Sequence, residues 1–124
     1  MAYSSAVALT VLEILRAGVS LDKTGVTPTA THGNKFLNDG KTFLFVRNGS
    51  VADITVTIDT PGSVDGQALA DLVVTVKATG DANGLDELLI GPFTATFNQS
   101  DGYVWAVFSA VTTVTAGAFR LANA

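Results

Sequence analysis

Apolar and polar side chains alternate in three stretches of the chain: Ile54-Thr-Val-Thr-Ile58, Leu72-Val-Val-Thr-Val76 and Phe93-Thr-Ala-Thr-Phe97. A period of two sends successive side chains to opposite faces of a sheet, so the pattern predicts strands over 54–59, 71–78 and 93–98. Lys41-Thr-Phe-Leu-Phe-Val-Arg47 is a continuous apolar run and predicts a central strand covered on both faces. Further strands are predicted over 88–90, 103–109 and 111–121. Between the runs stand Asp39-Gly40, Asn48-Gly49, Pro61-Gly62 and Asp101-Gly102, pairs that favour tight turns. Turn signals every ~8–12 residues mark sandwiches and barrels. The expected fold is all-β, a β-sandwich of jelly-roll type with seven or eight strands, in a single domain over residues 1–124.

Three segments resist this pattern. Residues 6–17 fit a strand through Val7, Leu9 and Val11, or a short helix through Leu12, Ile14 and Leu15; β-rich surroundings favour the strand. Residues 18–40 form a long polar stretch, read as a loop and as a contact surface, because unstructured connections of that length are uncommon unless functional. A second loop is expected over 60–69, around Pro61, Gly62 and Gly66.

Composition changes the picture in two ways. Apolar residues make up 48% of the chain and charged ones only 15%, with a mean hydropathy of +0.40. No apolar run approaches the ~20 residues of a spanning helix, and Ala6–Leu15 is interrupted by Glu13 without a signal-peptide flank. The surplus apolarity is therefore assigned to a filled sandwich or a subunit interface, and a homo-oligomer is expected. Eleven acidic against seven basic residues, with no basic cluster, argue against nucleic-acid and anionic-membrane partners. The absence of cysteine removes disulfides and thiolate chemistry, and a lone histidine excludes a multi-histidine metal centre.

Candidate chemistry is sparse. Asp59, Asp65 and Asp71 recur every six residues, and Asp81, Asn83, Asp86 and Glu87 share one loop. That loop fails the EF-hand pattern, since Gly84 stands at its fourth position rather than its sixth; solvated turn acids are the preferred reading. His32 with Ser20 or Thr31, oriented by Asp22 or Asp39, would compose a triad, yet no Gly-x-Ser-x-Gly elbow accompanies it. Phosphate-binding glycine loops are absent. Tyr103 and Trp105 alternate on one strand face, as a core or interface pair or as a sugar-stacking platform, and the former is preferred. Asn48-Gly-Ser50 and Asn98-Gln-Ser100 match the glycosylation pattern but read more simply as turns. No catalytic residue, cofactor or metal ligand is assigned.

Asp39-Gly-Lys-Thr-Phe-Leu-Phe-Val-Arg-Asn-Gly49, Ile54-Thr-Val-Thr-Ile58, Ile90-Gly-Pro-Phe93 and Phe97-Asn-Gln-Ser-Asp-Gly-Tyr-Val-Trp105 follow one another over residues 39–110. In this order of segments the chain resembles the capsid decoration, or cement, proteins of tailed bacteriophages. The resemblance implies a small, typically trimeric β-sandwich subunit that sits on the outer surface of a preformed head. It would bind the major capsid protein, clamp neighbouring subunits and resist the pressure of packaged DNA. The location implied is the virion, after assembly in the host cytoplasm. Many weak copies bridging capsomers gain by multivalency, so no deep pocket is required.

The resemblance fixes no contact residues. Those read as partner-contacting lie outside the strand block: Tyr3, Val7, Leu9 and Val11 from an N-terminal arm over 1–12, where β-augmentation is available, and Thr27, His32 and Lys35 from the 18–40 loop. The alternative reading is a carbohydrate-binding sandwich module of a phage fibre or tail, centred on Tyr103 and Trp105.

Overall fold

The computed structural model describes residues 3–21 and 25–121. Asp22, one of the residues considered as an orienter for His32, lies outside them. Among the described residues eleven strands follow in chain order: β1 (Val7–Ala8), β2 (Val11–Ile14), β3 (Asn34–Leu37), β4 (Thr42–Asn48), β5 (Ile54–Ile58), β6 (Ser63–Val64), β7 (Gln67–Ala68), β8 (Leu72–Val76), β9 (Glu87–Ile90), β10 (Tyr103–Phe108) and β11 (Val114–Leu121). Eight have four or more residues and three have two, so the longer ones meet the expected number. A five-stranded sheet, β1-β3-β10-β5-β8, packs on a four-stranded sheet, β2-β11-β4-β9, as a sandwich; β6 and β7 form a separate hairpin.

Alternation decides what each strand buries. Ile54, Val56 and Ile58 of β5 and Val104, Ala106 and Phe108 of β10 point inward, as do Leu44 and Val46 of β4 and Val114, Ala116 and Ala118 of β11. Full burial of a large apolar side chain contributes about 1.5–3 kcal/mol. The Arg47–Glu87 and Lys77–Asp53 ion pairs are half-exposed at the surface and contribute at most about 1 kcal/mol each. The core therefore dominates stability. β4 runs between β11 and β9, as expected of a central strand, and Phe45 is buried on its outer side while Arg47 is exposed.

The N-terminal segment departs from expectation. It is two strands in different sheets: β1 pairs parallel with β3, and β2 pairs parallel with β11. The chain crosses between sheets at Leu9-Thr10, and Leu9, only 8% exposed, belongs to the core. These parallel pairs make both sheets mixed, in addition to the antiparallel pairing expected of a jelly roll.

The 18–40 loop also differs, because it contains β3, which lies inside the five-stranded sheet between β1 and β10. Its alternation is disguised by Asn34, a polar residue 1% exposed on the inward register beside Phe36. The Asn34 side chain is fully used: Oδ1 accepts from the Thr29 N–H, and Nδ2 donates to Val7 O and Thr29 Oγ1. A buried amide is tolerated when paired in this way.

Residues 93–98 are the third difference. Instead of a strand they form a 3-10 turn over Ala95–Phe97. Phe93 is buried against Phe36, Phe97 meets Phe93 edge-on, and both ring centroid distances are 5.6 Å. Aromatic packing three to four residues apart suits a helical turn, and the strand-like Thr spacing carries no weight against it. Within the 60–69 loop, Asp65 and Gly66, both at positive φ, turn the β6–β7 hairpin.

Candidate functional site on the outer face of the five-stranded sheet

β10 carries the site. Its inward residues fill the core, which leaves Tyr103, Trp105 and Val107 on the solvent face, all half-buried. Tyr103 and Trp105 thus belong to a surface cluster, outside the core. The antiparallel register sets Lys35 of β3 opposite Trp105. From there the Lys35 ammonium lies 5.0 Å from the Tyr3 ring centroid and 5.1 Å from that of Tyr103. A cation held between two aromatic rings is favoured by their quadrupoles.

Tyr3 comes from the 3-10 turn Tyr3–Ser5 that precedes β1. Its ring meets Trp105 edge-on at 5.6 Å, and its hydroxyl donates to Asp101 Oδ1 at 2.5 Å. Partial burial, and then the Asp101 hydrogen bond, push the Tyr3 phenol well above its ordinary range. The same hydroxyl holds the Asp101 carboxyl below the usual carboxylate range. Trp105 is pinned too, its indole N–H donating to the His32 carbonyl at 2.7 Å. Five side chains from three stretches of the sequence, Tyr3, Lys35 and residues 101–105, are thereby fixed on one face.

The same face carries a groove of about 290 Å³ lined by Thr57, Asp59, Asp71, Trp105 and Val107. Asp59 Oδ2 accepts from Gln99 Nε2 at 2.6 Å, and Asp71 Oδ1 accepts from the Thr60 N–H at 3.0 Å. Thr60 itself is buried, and its hydroxyl has no hydrogen-bond partner among the described residues.

The residues expected from sequence to contact a partner divide. Tyr3 and Lys35 are in the cluster, His32 reaches it through its carbonyl, and Val7, 49% exposed, lies on the neighbouring β1. Leu9 is in the core and Val11 packs against it, so neither side chain is presented outward. Thr27 is exposed beside Val26, which bridges to Ala116 of the other sheet, away from the cluster. Sequence reasoning missed Asp101, Asp59 and Asp71 as parts of this face. The position of the two groove acids could have been found by pairing the ends of the 54–59 and 71–78 strands.

Other candidates resolve into local structure. Asp39 binds Arg120 Nε and the Lys41 N–H, and these bonds lower its pKa, with Arg120 the largest cause. Asp81 accepts from the Asn83 and Leu85 N–H groups, as a turn acid does. Asn48 is buried and bonded to Ser50, which is turn chemistry. Among the described residues no group of three or more His, Asp or Glu could hold a metal ion, and no helix is long and apolar enough to cross a membrane. Compared with protein-family models, curated proteins and solved structures, the chain matches none.

Proposed function

We propose that this chain is a non-enzymatic virion structural protein, a decoration or cement protein that binds the outer surface of a phage head and stabilises contacts between major capsid protein subunits. The observation that carries the reading is the pinned outer face of the five-stranded sheet, where Tyr3, Lys35, Tyr103 and Trp105 are locked together. Aromatic side chains with few rotamers, held rigid before docking, are the groups that contribute most at protein interfaces. The resemblance in the 39–110 segment supports the same reading. Exposed Leu72 and Val73 on β8, an edge strand of the five-stranded sheet, support self-association into a homo-oligomer, and the resemblance favours a trimer.

The test is to mix the protein with heads that lack it and image them. Saturable occupancy in symmetric positions is expected, and Tyr3→Ala with Tyr103→Ala should reduce it. Failure to bind any capsid would sink the proposal. The competing reading, a carbohydrate-binding module, is favoured by Tyr103 and Trp105 sharing the solvent face. A glycan array with the wild type and Trp105→Ala separates the two, since only a lectin has glycan binding to lose.

A further inference from the structure

The groove beside Trp105 has a graded chemistry. Thr57 and Val107 are register partners on β5 and β10, and Trp105 lies two residues from Val107 on the same face, so the three form a largely apolar floor. Asp59 follows the last residue of β5 and Asp71 precedes the first residue of β8. Ile58 and Leu72 are themselves paired, which sets Asp59 and Asp71 on neighbouring strands where the floor ends, both lining the groove. One oxygen of each is held in place, Asp59 by Gln99 and Asp71 by the Thr60 N–H. Among the described residues that line the groove there is no Lys, Arg or His.

An apolar floor ending in two carboxylates is complementary to a side chain with an apolar stem and a cationic tip. We infer that this groove receives a lysine or arginine side chain from the protein surface on which the chain docks, an inference that rests on the decoration reading. The methylene stem lies along Val107 and Thr57, the indole of Trp105 attracts the cation, and Asp59 and Asp71 neutralise it. A neutral sugar would leave both carboxylates without a counter-charge.

The test uses the whole protein, labelled for NMR, titrated with acetyl-Gly-Lys-Gly-amide, acetyl-Gly-Arg-Gly-amide and the norleucine analogue. Saturable shifts at the Trp105 indole N–H and the Val107 methyls are expected with the two cationic peptides and not with norleucine. Asp71→Asn and Asp59→Asn, which retain a hydrogen-bond acceptor, should each weaken binding about tenfold, and salt should weaken it further. Equal shifts with norleucine, no shift with either cation, or shifts with methyl glycosides instead would overturn the inference. Head binding that is unchanged in the double Asn variant would overturn it while leaving the decoration reading intact. Peptide binding without head binding would instead sink the decoration reading.

Discussion

The Tyr3 hydroxyl donates to Asp101 Oδ1 across 98 residues of sequence. This bond ties the segment before β1 to the turn that leads into β10, and it closes the aromatic cluster at its rim. The N-terminal segment is consequently part of the sheet's outer face, held there by a side chain, and it continues into a strand whose next residues enter the core.

The pair predicts a pH signature with two limits. Asp101 has a lowered pKa, so its contribution is present above the ordinary carboxylate range and is lost as pH falls through its folded value. Tyr3 has a raised pKa, so its contribution is present below the ordinary phenol range and is lost as pH rises through its own folded value. Tyr3→Phe should lower the denaturation midpoint at pH 7 and lower it less near pH 2, below the ordinary Asp value, where the carboxylate acceptor is increasingly protonated. An ultraviolet titration should lose its latest phenolate component in the same variant. An equal deficit at both pH values would show that the bond is not responsible.

Leu9→Ala should destabilise by about 2–5 kcal/mol, because the side chain plugs the core where the chain changes sheets. Val7→Ala, two residues earlier and 49% exposed, should stay within about 0.5 kcal/mol. Urea unfolding of the two variants compares them directly. Equal effects would mean that the crossover is not packed as described.

Asn48→Ala removes the donor to the carbonyls of Ala52, Val76 and Lys77, and the acceptor for Ser50. Each buried group left unpaired costs about 1–3 kcal/mol, so a loss of at least about 2 kcal/mol is expected. The midpoint should fall with the slope unchanged. A change of under about 0.5 kcal/mol, as at an ordinary surface position, would contradict the network.

Gly33 and Gly40 both have positive φ, yet they differ in space. A Cβ at Gly33 would lie 2.3 Å from the Ala106 carbonyl oxygen, whereas one at Gly40 meets nothing within 4 Å. Gly40→Ala should cost about 1–2 kcal/mol from backbone strain alone. Gly33→Ala should cost clearly more, because β3 must separate from β10 to admit the methyl group. Thermal melts that rank the two in the opposite order would refute this.

Much of the fold was legible in the sequence where a strand buries one apolar face. Strands near 54–58, 72–76 and 103–108 follow directly from Ile54, Val56, Ile58 and their counterparts. Legibility failed where a polar residue faces inward, as Asn34 does, and where threonine spacing mimicked a strand around Phe93 and Phe97. It failed again at Leu9, since one apolar run was shared between two sheets. Four of the five cluster side chains were within reach, because Tyr3 and Lys35 stood out as contact residues and Tyr103 and Trp105 as a pair on one strand face, without any sign that the two sets would meet.

Local alternation and composition are enough to specify the all-β class, the large inward residues of the long strands and the scarcity of reactive groups. Tertiary structure alone decided which strands became neighbours. Pairing register, set by burying one face of each strand, brought Lys35 opposite Trp105 and Asp59 beside Asp71. Alternation says which face a side chain takes; only the packed sheets determine what stands next to it.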